Sequence, residues 1–188
     1  MKIGKVFEDV LNESKSIIAY HGTPHKIDNF VDDFVGGKEA TDQEGPGIYF
    51  TTSEQNAMGY GENVYKAELT PKKSVPIKNG KDAPSREIEW LIRQAPEWED
   101  NAMNWHENPQ VGYKLAARDI IKYNENPHQQ YLQVWYDFYR YHPVEYVRNM
   151  VKLGFDSIII PDRSSMITGE ENITHIIVLN PRIINQVK

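Results

Sequence analysis

Two short clusters in this chain hold residues able to do chemistry. The first is Tyr20-His21-Gly22-Thr23. An imidazole at a strand end can hydrogen-bond a ligand hydroxyl, and a glycine beside it lets a planar ligand reach the backbone N–H and C=O. The same residues also read as a strand-ending turn with a surface histidine. The second is Gly45-Pro46-Gly47-Ile48-Tyr49-Phe50-Thr51, followed by Tyr60-Gly61. Tyr49 and Tyr60 lie eleven positions apart, which places one on a strand and one on the helix after it. Such a pair can wall a slot for a flat aromatic ring, stacking adding about 0.5–1.5 kcal/mol beyond burial. The competing reading is two core tyrosines. His21 and His25 have the i, i+4 spacing of a helical zinc pair. Gly22 and Pro24 oppose a helix there and no third ligand is evident, so no metal is expected. With no cysteine in the chain, thiolate chemistry, disulfides and Cys-based metal sites are excluded.

The elements that must position these residues follow from punctuation and periodicity. Val6, Phe7, Val10 and Leu11 predict a short amphipathic helix over residues 2–13. Ser16 to Tyr20 reads as a buried strand ended by His21-Gly22-Thr23-Pro24. The acidic stretch 26–44 reads as a solvated loop with a short helix anchored by Phe30 and Phe34. Gly45-Pro46-Gly47 turns the chain into a strand at Ile48–Thr52, and Ser53 is a fitting N-cap for a helix over 54–60. Asn63 to Leu69 alternates as a half-buried strand. From Pro84 to Met150 lie 12 of the 21 aromatic residues, including all four Trp. Helical pieces are expected near 85–95, 110–123, 128–141 and 143–153, with Pro109, Pro127 and Pro143 near their starts. Phe155–Ile160 and Ile173–Leu179 are apolar strands, and Pro161–Asn172 between them is a polar, mobile loop. Strands, then helices, then strands give an α+β domain spanning 1–188 with a helical, aromatic-rich insertion at about 84–153. The run Tyr131, Trp135, Tyr136, Phe138, Tyr139, Tyr141 holds Arg140 as its one cation, which favours packing into a core or a protein partner over stacking on bases.

Lys plus Arg number 21 and Asp plus Glu 27, a formal net charge of −6, a poor balance for non-specific nucleic-acid binding. No apolar run approaches the ~20 residues that span a bilayer. The N-terminus lacks the apolar core and cleavage site of a signal peptide. The expected location is therefore a cytoplasm, that of a host cell included, with no membrane partner.

Taken together, Tyr20-His21-Gly22-Thr23, Gly45-x-Gly-Ile-Tyr-Phe-Thr and Ala57-x-x-Tyr60-Gly resemble the ADP-ribosyltransferase superfamily. They are closest to its His–Tyr–Glu branch of diphtheria-type toxins and poly(ADP-ribose) polymerases. Gly154-Phe155-Asp156-Ser157-Ile158 and Ile176-Ile177-Val178-Leu179-Asn180-Pro181-Arg182-Ile183-Ile184 are similar to the closing segments of the small transferase domains of phage and mobile-element polyvalent proteins. The resemblance covers about residues 16–69 and 151–185. It implies a split two-sheet fold gripping NAD in a cleft. By it, His21 would bond a ribose hydroxyl, and Gly22 would pair through its backbone with the nicotinamide carboxamide. Thr23 would stand beside them in the cofactor-binding motif. Tyr49 and Tyr60 would pack around the nicotinamide and its ribose.

Cleaving the nicotinamide–ribose bond develops positive charge on the ribose, so a carboxylate is useful nearby. The family places a Glu at the start of its last strand of this set, and here the alignment puts His175 there. Three readings follow: His175 replaces the Glu, Glu171 acts after a register shift, or the site binds NAD without efficient transfer. The function expected is NAD-dependent mono-ADP-ribosyl transfer to a macromolecule, a protein in the first instance with nucleic acid left open. Arg163, Ser164 and Ser165 are the expected target contacts. The alternative is a weak or inactive relative that acts as an NAD-, ADP-ribose- or protein-binding module. RNA 2′-phosphotransfer ranks lower, since no Arg–His cluster suits a phosphate. His21→Ala is expected to abolish transfer with little change in thermal stability.

Overall fold

The computed structural model describes residues 16–30, 45–77, 82–165 and 168–186. The helix expected over 2–13 and the stretch 31–44, with Phe34, lie outside the described residues. The chain is mixed α+β. Its strands are β1 (Ile17–Thr23), β2 (Ile48–Thr51), β3 (Asn63–Leu69), β4 (Ser74–Val75), β5 (Ser157–Arg163), β6 (Ile173–Val178) and β7 (Ile184–Gln186). A short helix, α1 (Glu54–Met58), follows β2. The helices α2 (Ser85–Arg93), α3 (Trp98–Ala102), α4 (Pro109–Tyr123), α5 (Pro127–Val134) and α6 (Pro143–Lys152) fall between β4 and β5.

The described strands form one hydrogen-bonded sheet of seven, in the order β4-β5-β6-β2-β1-β3-β7. Two separate sheets were expected. The difference lies at one seam. β1 pairs β3 over seven residues, from Ile17↔Leu69 to Thr23↔Asn63, and β2 pairs β6 from Ile48↔Val178 to Thr51↔His175. Between these halves β1 meets β2 at one register pair, Tyr20↔Thr51. The sheet is continuous, and that junction is its thinnest.

Residue types explain the helices. Pro109, Pro127 and Pro143 each occupy the first position of their helix, where a missing N–H costs nothing. Asn108 and Asn126 cap two of them by accepting from Gln110 N and Gln129 N. α3, which the sequence pattern did not signal, follows Glu97 in the left-handed region at φ 56°. After α5 the chain widens into one π-helical turn, Trp135–Tyr139. Trp135, Tyr131, Tyr139, Tyr146 and Phe138 are fully buried in a core continuous with Ile176 and Ile177 of the sheet. Each such side chain contributes roughly 1.5–3 kcal/mol by burial. Their hydroxyls are satisfied: Tyr139 donates to Leu91 O at 2.6 Å, Tyr146 to Tyr131 O at 3.0 Å and Tyr131 to Glu87 at 2.6 Å. The aromatic run is therefore core, with Tyr136 and Tyr141 its exposed members.

Asp156, just before β5, ties the end of the helical block to the sheet. Its carboxylate accepts from the backbone N–H of Lys72 at 2.8 Å and Lys73 at 3.1 Å, and from the Ser157 hydroxyl at 2.9 Å. Its own carbonyl accepts from Leu179 N and Asn180 N. No described helix is long and apolar enough to cross a membrane.

Candidate functional site

His21 sits in β1, opposite Tyr65 on β3 and one residue beyond the last pairing with β2. Its Nδ1 lies 2.7 Å from the Tyr49 carbonyl of β2. A carbonyl only accepts, so Nδ1 carries the proton, and in the neutral ring Nε2 keeps its lone pair. Burial pushes the His21 pKa below its ordinary value of 6.5, with the bond to Tyr49 opposing more weakly. Phe30 meets the ring edge-on at 5.3 Å and Phe50 lies 5.5 Å away. The imidazole thus links β1 to β2 where strand pairing has stopped.

Gly22 is fixed by packing on α1. A Cβ there would stand 1.7 Å from the Ala57 carbonyl oxygen, so only glycine lets helix and strand approach this closely. The sequence reading gave that space to a ligand, whereas Ala57 fills the side of Gly22 on which a side chain would project. α1 begins where the Ser53 hydroxyl accepts from Asn56 N at 3.0 Å, the expected cap. It stops at Gly59, and Tyr60 N donates back to Ala57 O at 3.0 Å. Tyr60 is thereby held next to the Gly22 contact, its side chain about half exposed at 49 %. Thr23 is buried at the end of β1, and its hydroxyl accepts from His25 N at 3.2 Å. His25 lies on the turn after an extended strand, so the His21–His25 spacing is not helical.

Register sorts the remaining candidates by face. Paired residues of neighbouring antiparallel strands project to one side. Tyr20, Thr51, His175 and Ile160 form one row across β1, β2, β6 and β5. Tyr49 and Ile177 share that side, whereas Phe50 and Ile176 face the other, and the His21 ring packs toward Phe50. Tyr49 is half-buried, its hydroxyl donating to Gly45 O at 2.5 Å. His175 therefore lies across the β2 strand from β1, in the Thr51 row, and on the other face from the His21 ring.

Glu171 does not join them. β6 begins at Ile173, and Asn172 takes a left-handed turn at φ 60°, which breaks the alternation needed to bring Glu171 onto the His175 face. Glu171 is exposed. Its neighbour Glu170, which the sequence reading passed over, accepts from the Ser53 hydroxyl at 2.5 Å and from the Thr168 hydroxyl at 3.1 Å. Of the expected target contacts, Arg163 ends β5 and Ser164 is exposed. Ser165 is buried, 2.6 Å from the Asn56 amide, and its backbone N–H donates to Glu170 O at 2.7 Å. Ser165 and Glu170 thus tie the loop to α1, while residues 161–163 belong to β5. Phe30, Phe50, Ser53 and Glu170 complete the neighbourhood. A cap pattern marked Ser53 in the sequence, Phe30 was read as a loop anchor and Phe50 lay within the cluster of residues 45–51, while nothing there gave Glu170 a role. A separate recess, lined by Arg86, Glu89, Trp90, Arg93, Gln94 and Tyr113, belongs to α2 and α4.

No curated protein matches this chain. Among solved structures it is similar to a crystal structure of an anti-CRISPR protein at 16 % identity, with 93 % of this chain and 97 % of that one covered and a TM-score of 0.39. Residues 12–188, which include the β1 histidine–glycine pair, both tyrosines and the β6 strand, match the family described as ADP-ribosyltransferase in polyvalent proteins, and the chain belongs to that family.

Proposed function

We propose that this chain is an NAD-dependent mono-ADP-ribosyltransferase whose acceptor is a macromolecule. Family membership implies NAD as substrate. The observation that carries the residue-level reading is the His21 Nδ1–Tyr49 O bond of 2.7 Å. It ties two of the motif residues together and leaves a neutral imidazole with an accepting Nε2. Gly22 lies beyond the last β1–β2 pair, which suits main-chain pairing with a carboxamide, and Tyr60 is held beside it through Ala57.

NAD supplies a ribose already bonded to a cationic leaving group. On cleavage the electron pair goes to the nicotinamide nitrogen, and the anomeric carbon is captured by a target nucleophile that loses a proton. His21 Nε2 accepts from a ribose hydroxyl and orients that sugar. Gly22 fixes the carboxamide, and Tyr49 and Tyr60 flank the ring. His175 is the residue at the strand position where the family carries Glu. In its neutral form it can accept a proton, but its place in the Thr51 row is on the other face from the His21 ring, and it supplies no fixed negative charge. The lack of a carboxylate there also favours a second reading, a binding module that holds NAD or ADP-ribose with little turnover.

Incubation with a tagged NAD analogue and bacterial lysate tests both. The transferase reading expects released nicotinamide and a labelled macromolecule. His21→Ala and Tyr49→Ala should each reduce labelling at least about a hundredfold, the size of effect expected from losing substrate orientation. Full labelling by both variants overturns the site assignment, and NAD binding without nicotinamide release favours the module.

A further inference from the structure

The Ser53 hydroxyl holds two elements at once. It caps α1 through Asn56 N at 3.0 Å and lies 2.5 Å from Glu170 Oε2. That separation suits an O–H donating to an ionised carboxylate. The same carboxylate oxygen receives the Thr168 hydroxyl at 3.1 Å. Ser165 binds the chain again from the other side: its N–H donates to Glu170 O, and its hydroxyl accepts from Thr168 N at 2.9 Å and meets Asn56. Asn56 is buried, at 1 % exposure, so α1 contacts this segment through a desolvated amide as well as through its cap. Three residues after Glu170 the chain enters β6, which carries His175. The other end of α1 holds Ala57 against Gly22 and leads to Tyr60.

We propose that Glu170 is a positioning residue for the nicotinamide end of the site. Its carboxylate latches the segment leading into the His175 strand onto the first turn of α1, and so fixes Ala57 against Gly22 and the place of Tyr60. Glu170 acts through Ser53 and α1, not by touching the substrate. The proposal rests on the NAD-site reading for its functional arm, and has a structural arm that does not.

Three proteins decide it: the wild-type chain, Glu170→Ala and Glu170→Gln. The glutamine keeps a carbonyl oxygen that can accept from Ser53 and Thr168, and removes the charge. Amide hydrogen exchange is measured without NAD, and KM and kcat for nicotinamide release with it. In Glu170→Ala, amides of residues 54–60 should exchange about tenfold faster or more, as expected for losing a charge-assisted bond, while β3 amides keep their wild-type rates. KM for NAD should rise about fivefold or more, since preorganisation is lost. Glu170→Gln should restore most of both. Unchanged exchange at 54–60 in Glu170→Ala overturns the latch. Wild-type exchange in Glu170→Gln together with a kcat as low as that of Glu170→Ala also overturns the proposal, because the charge is then used directly. A wild-type chain that leaves NAD intact sinks the transferase reading, and the exchange arm still decides the latch.

Discussion

A histidine whose Nδ1 is 2.7 Å from a carbonyl oxygen has its tautomer chosen for it. For His21 this has a stability consequence that the sequence did not disclose. Replacing it with Ala removes a bond to Tyr49 O and empties a space beside the contacting Phe30 and Phe50 rings. The cost expected is about 1–3 kcal/mol by urea unfolding, in place of the small change anticipated from sequence. The pH dependence has a definite sign. The folded pKa lies below the unfolded value of 6.5, so between the two the unfolded chain binds more protons. The His21 contribution is therefore complete above pH 6.5 and is lost as pH falls from there to the folded pKa. The stability–pH slope in that window should be shallower in His21→Gln. At this scale the sequence named His21, Gly22, Tyr49 and Tyr60 because their types and spacing formed a pattern. Glu170 was illegible, since its partner Ser53 lies 117 positions away.

Elements carried more of their own signal. Prolines marked helix starts, and apolar alternation marked β3 along its whole length, because these are properties of neighbours in the chain. An element's end is less legible. Glu171 shares the His175 face only if β6 reaches it, and Asn172 at φ 60° ends the strand's continuity before that. The two-residue β4 and three-residue β7 are too short for periodicity to reveal, since they exist through pairing with β5 and β3. Gly22 joins two elements, and the structure gives it a packing reason that neighbours in the chain did not show. Gly22→Ala should push α1 off β1, because the new Cβ would overlap the Ala57 carbonyl. A loss of about 2–3 kcal/mol is expected for such overpacking, read as a lower Tm. Weaker NAD binding should accompany it, since Tyr60 follows α1.

For the whole molecule, the sequence yielded the fold class, the family and the order of strands, helices and strands. The count of sheets depended on whether β1 and β2 pair, a non-local choice resting on Tyr20 and Thr51. Asp156 is a similar long-range device, holding residues 72 and 73 from 84 and 83 positions away. Asp156→Ala would leave backbone N–H donors without their acceptor at the junction of helical block and sheet. A cost of about 3 kcal/mol by chemical denaturation is expected, with labelling per folded molecule unchanged.

The junction between β1 and β2 has a further consequence. On either side of it the backbone is zipped over several residues, while across it run one described rung, the His21 imidazole with its Phe50 contact, and the packing of α1 on Gly22. Amide exchange along that line is expected to be faster than within either paired half. Gly22 and Tyr49 stand on opposite banks of it, joined by the strand junction and by α1 alike.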